Sequence, residues 1–255
     1  MQLSSKKQRI LIFSDPHQDI RRVEHILKHE DWDKVVCLGD WFDSRDYNTE
    51  ADLEKTCEFL KKWLNKPEFV TLFGNHDTSY LYFNNKLICG GYKLWKDDFI
   101  TDFFGEDLLQ FKKKFLWYLW VDDFLCTHAG LHIAHLPPRF ELNKPNLTKW
   151  LDQEIDKAEI YLNSGESYWL YMAGAARGGP QLLGGINWLD FNHEFEPITE
   201  IKQIVGHTNG ERIRGHHLDG EVDLKKAPNL DIDCHLSEYL IIENGEIKIK
   251  KYSDI

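Results

Sequence analysis

Short β-branched or aromatic runs, each closed by a polar patch, set the rhythm of this chain. Ile10-Leu11-Ile12-Phe13-Ser14, Lys34-Val35-Val36-Cys37-Leu38, Phe69-Val70-Thr71-Leu72-Phe73, Asp123-Phe124-Leu125-Cys126 and Gln203-Ile204-Val205 each have the length and composition of a buried strand. Between the first two, Val23, Ile26 and Leu27 share one helical face, which predicts a helix near Ile20 to His29 with Asp19 as its N-cap. A stripe of Leu53, Cys57, Leu60 and Leu64 predicts a second helix near Glu50 to Asn65. The resulting βαβαβ order predicts an α/β fold with a parallel sheet and right-handed crossovers. From Thr78 to Leu119 the pattern turns aromatic-rich and helical, with a turn at Gly90-Gly91, and residues 117–127 read as a strand pair. A polar helix is expected over Thr148 to Asn163. The C-terminal part reads as a hairpin, with strands at Asp231 to Asp233 and Tyr239 to Glu243, an Asn244-Gly245 turn, and a strand at Ile247 to Lys251.

The polar patches are Asp15-Pro16-His17, Gly39-Asp40, Gly74-Asn75-His76-Asp77, Thr127-His128-Ala129-Gly130 and Gly206-His207-Thr208. Five loops at the carboxyl ends of five buried strands can gather residues from position 15 to position 207 at one place. A linker between independent domains would work against that, so one domain over residues 1–255 is expected, with helical insertions near 79–115 and 136–180. An apolar content of 42% suffices for a core, and a net charge of −11 disfavours nonspecific binding to a phosphate backbone. The five cysteines are odd in number and without paired spacing, which fits a reducing cytosol. The start, Met1 to Arg9, is polar and basic, and the apolar run behind it is too short for a signal peptide. Asp122 and Asp123 break the aromatic stretch Phe115 to Val121, so no membrane span is expected.

The chemistry of the patches is that of a pair of divalent metals. Carboxylates, imidazoles and an amide oxygen are suitable donors, and a carboxylate shared between two ions holds them together. Asp15 and His17, two residues apart at a strand end, point the same way and can chelate one ion. Asp40, after the turn-permitting Gly39, can reach both. The expected sets are Asp15, His17 and Asp40 for one ion, and Asp40, Asn75, His128 and His207 for the other. Such a pair would cleave a phosphate ester by in-line attack of a metal-activated hydroxide, with His76 left free as general acid for the leaving oxygen. In isolation each short patch is an ordinary turn or cap; five in order at strand ends favour the metal reading.

Through Asp-x-His, Gly-Asp-x-x-Asp, Gly-Asn-His-Asp, His-x-Gly and Gly-His-Thr the chain resembles the calcineurin-like metallophosphoesterases. Within them it is most similar to the phosphoprotein phosphatase branch, which includes bacterial and phage serine/threonine phosphatases and symmetrical diadenosine tetraphosphate hydrolases. The resemblance implies a four-layer α/β/β/α sandwich, and it assigns Asp43 as the carboxylate that partners His76. Many nuclease and diesterase members carry Gly-His-x-His, whereas Asn209 stands at the second position here, as in the phosphatase form. The arginines depart from the branch. Ser44 occupies the position where that branch has Arg, with Arg45 one later, and Leu72-Phe73 stands where a second Arg is often found. Arg177, in a Gly-rich stretch, is the expected substitute on the substrate phosphate, with Arg45 as the other possibility.

The expected activity is hydrolysis of phosphomonoesters in a protein or a small metabolite. Mn²⁺ is the expected metal, with Fe, Zn, Ni or Mg as substitutes. The alternatives are hydrolysis of a dinucleoside polyphosphate and processing of nucleic-acid ends as a phosphatase or phosphodiesterase. Most of the Trp and Tyr excess is expected in the core, while Trp41, Tyr80 and Tyr82 are placed where they could line the mouth and stack on a base. His216 and His217 are read as a solvated turn.

Overall fold

The computed structural model describes residues 1–82, 84–215 and 227–255. Among these residues the strands form two six-stranded sheets. One has β2 (Ile10–Phe13), β3 (Lys34–Cys37), β4 (Phe69–Leu72) and β5 (Phe115–Leu116) running parallel, extended beyond β2 by the antiparallel pair β11 (Glu238–Glu243) and β12 (Glu246–Lys251). The other has the order β1 (Gln2–Leu3), β6 (Tyr118–Val121), β7 (Phe124–Thr127), β8 (Lys202–Val205), β10 (Asn229–Asp231) and β9 (Arg214–Gly215).

The side-chain alternation of each strand builds the layers. Ile10 and Ile12 of β2, Val36 of β3 and Val70 and Leu72 of β4 share a core with Leu119 and Val121 of β6, Cys126 of β7, Ile204 of β8 and Leu230 of β10. This is the seam between the sheets. The intervening residues Leu11, Phe13, Val35 and Cys37 face the other way and share a second core with α1 (Ile20–His29) and α2 (Glu50–Trp63). On the far sheet, Tyr118, Trp120 and Leu125 meet Leu147, Leu151 and Ala158 of the long helix α6 (Lys144–Asn163) in that same cluster. Helix, sheet, sheet and helix make the four-layer sandwich.

Local chemistry sets the element ends. Asp19 caps α1 by accepting the Arg22 amide at 3.1 Å, and Thr49 and Asp52 form a reciprocal capping box at the start of α2. The second helix stops at Trp63, short of the expected Asn65, because Pro67 disfavours helical backbone just before it. The long helix begins at Lys144, four residues before the expected Thr148, since Asn143 caps it and Pro145 fits its first turn. Helices α3 (Asn75–Leu81), α4 (Leu94–Phe104) and α5 (Leu108–Lys112) fill the aromatic-rich stretch. Asn244-Gly245 makes the hairpin turn with both φ positive, at 52° and 78°.

Two expectations are corrected. Asp231 to Asp233 does not join that hairpin: β10 lies in the other sheet, parallel to β8. Trp41, Tyr80 and Tyr82 do not line a mouth, being 0%, 1% and 4% exposed. Trp41 donates its indole N–H to Thr71 Oγ1 at 2.7 Å, and Tyr80 donates its hydroxyl to Asp43 at 2.5 Å, so each polar tip has a buried partner and the ring stays in the core. His216 and His217 lie outside the described residues. Among the described residues no helix is long and apolar enough to cross a membrane.

Candidate metal centre

The loops that follow β2 and β3 are zipped together by their backbones. Asp15 N–H donates to Gly39 O at 3.1 Å, His17 N–H to Asp40 O at 2.9 Å and Gln18 N–H to Trp41 O at 2.9 Å. Asp15, His17, Asp40, Asp43 and His207 all hold left-handed backbone, with φ of 54°, 40°, 61°, 63° and 70°. That conformation costs a non-glycine residue on the order of 1–3 kcal/mol, and it persists where surrounding structure imposes it to aim a side chain. Asp77 supplies one such constraint: it accepts the amides of Asp40, Trp41 and Gly74 at 2.8, 2.8 and 2.9 Å.

Six side chains converge on this frame. The ligand atoms of Asp15, His17 and Asp40 lie within 4.8 Å of one another, as do those of Asp40, His128 and His207. Asp40 therefore belongs to both groups. Its Oδ2 stands 3.4 Å from His128 Nε2 and 3.8 Å from His17 Nε2, and Asn75 Oδ1 lies 3.1 Å from His128 Nε2. His17 and His128 each turn Nδ1 to a backbone carbonyl, of Phe42 at 3.0 Å and of Leu38 at 2.8 Å. A carbonyl only accepts, so Nδ1 carries a proton in each ring and Nε2 is the nitrogen left facing the cluster.

The electrostatics fit a cation. Burial opposes the Asp40 charge, yet His128, His76 and His17 outweigh it and hold the carboxyl well below its usual range. Burial lifts Asp15 to about 6, opposed by His128 and assisted by the Asp40 charge. Burial, with the charges of His128 and Arg177, keeps His207 neutral well below the ordinary imidazole range. Asp15 Oδ1 and His207 Nε2 are buried without a hydrogen-bond partner. Orphaned polar atoms of this kind are costly to bury unless a bound group meets them. The backbone is shaped to the same end: a Cβ on Gly74 would fall 2.0 Å from Asp40 Oδ1, and one on Gly206 would fall 2.3 Å from Asp15 Oδ2. These residues fit two divalent ions.

His76 stands beside this cluster and outside it. Its amide donates to Asp40 Oδ1 at 2.9 Å, and its ring lies 5.2 Å from that of His17. Nδ1 meets Asp43 Oδ2 at 2.9 Å, with Cys89 Sγ 3.4 Å away. Burial favours the neutral ring, but Asp40, Asp43 and Cys89 together raise its pKa well above the usual value. Asp43 is itself braced, with Lys96 Nζ at 3.1 Å from its Oδ1. The partners Cys89 and Lys96 were not singled out from the sequence. Both sit in the helical stretch after α3, and no local motif marks a residue whose role depends on packing.

The two arginines part company. Arg177 reaches the cluster: it pairs with Asp190 at 2.8 Å through Nε, and Nη2 donates to Thr208 Oγ1 at 3.0 Å, next to His207. Arg45 is exposed on the loop that follows Asp43.

Two facing sheets bring carboxylates, imidazoles and an amide together on adjoining strand ends, the donor set of a metal-dependent phosphoesterase. The family model for calcineurin-like phosphoesterases matches residues 8–235, and the chain belongs to that family. Solved structures with the same fold include a cold-active protein-tyrosine phosphatase of a psychrophilic Shewanella species, at 18% identity and TM-score 0.63, covering 100% of this chain and 80% of the other. A putative diadenosine tetraphosphatase matches at 13% identity and TM-score 0.51, covering 98% and 96%. A protein serine/threonine phosphatase from Saccharomyces cerevisiae matches at 12% and 0.51, covering 98% and 83%. No curated protein matches the chain significantly.

Proposed function

We propose that this phosphatase hydrolyses phosphomonoesters, either phosphoserine and phosphothreonine in proteins or a small phosphorylated metabolite. In this reading the whole chain is one catalytic unit, with helical insertions near 79–115 and 136–180, working in the cytosol. Asp15, His17 and Asp40 would hold one divalent ion, and Asp40, Asn75, His128 and His207 the second, Mn²⁺ being the expected metal. When bound, the pair supplies a nucleophilic oxygen near neutral pH and offsets phosphoryl charge.

The observation that carries the monoester reading is the position of Asn209. Its side-chain amide is engaged with His235 Nε2, so the loop after β8 offers a single imidazole, that of His207, to the cluster. The residues around the cluster then have separate tasks. His76 holds a proton for the leaving oxygen, Asp43 orients its ring through Nδ1, and Arg177 binds the phosphoryl oxygens. Arg45, exposed and one position late, is the lesser candidate for that last task.

A substrate panel with Mn²⁺ tests the reading: a phosphopeptide, p-nitrophenyl phosphate, its bis-ester, diadenosine tetraphosphate, and DNA or RNA bearing terminal phosphates. Monoesters are expected to turn over well ahead of the bis-ester. Fast cleavage of the bis-ester with little monoesterase activity would overturn it, and preference for the dinucleotide or the nucleic-acid ends would redirect it to those substrates.

Arg177→Ala is expected to raise KM for a phosphomonoester about tenfold or more, the worth of a charge-assisted hydrogen bond. Unchanged KM and kcat would remove Arg177 from the substrate site.

A further inference from the structure

His76 Nδ1 has a donor set of its own. It lies 2.9 Å from Asp43 Oδ2 and 3.4 Å from Cys89 Sγ, and the three ligand atoms all fall within 4.8 Å of one another. None of the three residues belongs to the group of Asp15, His17 and Asp40 or to that of Asp40, His128 and His207. A carboxylate, an imidazole and a thiol therefore converge beside the two-ion cluster.

The chain builds this convergence from three places. Asp43 holds left-handed backbone after β3, and Lys96 Nζ at 3.1 Å and the Tyr80 hydroxyl at 2.5 Å occupy its Oδ1, which leaves Oδ2 for His76. His76 stands in the first turn of α3. Ser79, one turn later, brings Cys89 back to that helix: its hydroxyl donates to Leu87 O at 2.9 Å and lies 3.2 Å from Cys89 Sγ. Gly91 then passes against Asp43 with φ of 107°, where a Cβ would stand 3.1 Å from Asp43 Cβ. The Asp43 side chain is 2% exposed and that of His76 18%, and Cys89 is partly exposed, so an ion can arrive from solvent past His76 and Cys89. Tetrahedral zinc, with Zn–S of about 2.3 Å and Zn–N and Zn–O of about 2.0–2.2 Å, holds neighbouring ligand atoms roughly 3.3–3.6 Å apart. The Cys89–His76 separation already matches, and the His76–Asp43 separation has to open by only about 0.4 Å.

We propose that Asp43, His76 and Cys89 form a third cation site, selective for a thiophilic divalent ion such as Zn²⁺, and that filling it inhibits the enzyme by occupying His76 Nδ1. A thiolate ligand favours Zn²⁺ over Mn²⁺, so enzyme loaded with Mn²⁺ alone leaves the site open. Binding forms bonds from the ion to sulfur, nitrogen and oxygen, breaks the His76–Asp43 hydrogen bond, and releases the thiol proton and the Nδ1 proton to solvent. His76 then keeps a proton on Nε2 alone, and losing it would leave an imidazolate instead of a neutral ring, so the ring becomes a much weaker acid toward a leaving oxygen. The inhibition rests on the reading of His76 as general acid; the site itself rests on the three ligand atoms.

The test uses the full chain in excess Co²⁺, a coloured substitute for Zn²⁺. The two-ion cluster offers no sulfur, so a sulfur-to-cobalt charge-transfer band reports the third site. Wild type is expected to show that band, and Cys89→Ser to lack it while keeping the absorption of cobalt bound to oxygen and nitrogen. In Mn²⁺-loaded enzyme, added Zn²⁺ should inhibit turnover of a phosphoserine peptide more strongly than that of p-nitrophenyl phosphate. In Cys89→Ser the inhibition constant for Zn²⁺, read against that variant's own uninhibited rate, should rise about 10–100-fold or more, since loss of a ligand costs at least what loss of an outer partner does. If Cys89→Ser does not fold, Cys89→Ala is read by the same criteria. No thiolate band in wild type, or a band unchanged in the variant, would overturn the third site. Zn²⁺ inhibition that is the same in the variant would place the effect at the two-ion cluster and overturn the inhibitory role. A band that depends on Cys89, with equal inhibition of both substrates, would keep the site and remove His76 as the proton donor.

Discussion

Asp40→Asn is expected to lower kcat/KM for p-nitrophenyl phosphate by on the order of 10³-fold or more at saturating Mn²⁺, and to leave fewer than two ions bound per chain. Among the described residues no other carboxylate belongs to both metal-binding groups of the cluster. Asn preserves the shape and the oxygen that accepts the His76 amide at 2.9 Å, so the loops that Asp77 clamps should keep their course. What disappears is the negative charge that faces His128, His17 and His76. With it goes much of the pull that raises the pKa of His128, set to about 9 against the opposing effect of burial. The check is metal content by elemental analysis alongside steady-state kinetics. Retention of two ions with activity within tenfold of wild type would refute Asp40 as the shared carboxylate.

The second large effect is expected from His76→Asn, and it should depend on the leaving group. A positioned general acid contributes roughly 10²–10⁴-fold. An alkyl alkoxide needs that proton and p-nitrophenolate hardly does, so a phosphoserine peptide should lose most of its turnover while p-nitrophenyl phosphate loses much less. Metal content should stay at the wild-type level, because His76 belongs to neither metal-binding group that Asp40 shares and its Nδ1 is engaged by Asp43 and Cys89. The pH dependence follows with a definite sign. The acid acts only while protonated, so turnover of the peptide falls as pH rises through the His76 pKa, which its acidic neighbours raise. That alkaline limb should vanish in the variant. Equal losses on both substrates, or loss of metal, would rule out the proton-donor role.

Much of the cluster was legible along the chain because its parts are local. A strand that ends in Asp-x-His, or in Gly followed by Asp, declares its donors within three residues, and five strand ends in order leave few arrangements open. Asp19 as a helix cap and Asn244-Gly245 as a hairpin turn were legible for the same reason: each is satisfied by groups a few positions away. The misreadings involve distant partners. Trp41 follows Asp40 directly, which suggested a mouth, but its indole N–H bonds Thr71 on β4, thirty positions away. The run at 231–233 has the alternation of a hairpin strand, but its hydrogen bonds go to β8 in the other sheet.

The sequence by itself determined the kinds of donor, their order, and the α/β alternation that puts them at strand ends, since residue chemistry and short-range periodicity carry that information. Only the tertiary structure decided which side chains meet. It set Arg177, and not Arg45, against His207, and it packed Lys96 and Cys89 around the Asp43–His76 pair. Strand register and sheet order are nonlocal, so a residue's neighbours follow from pairings that no short stretch of chain contains.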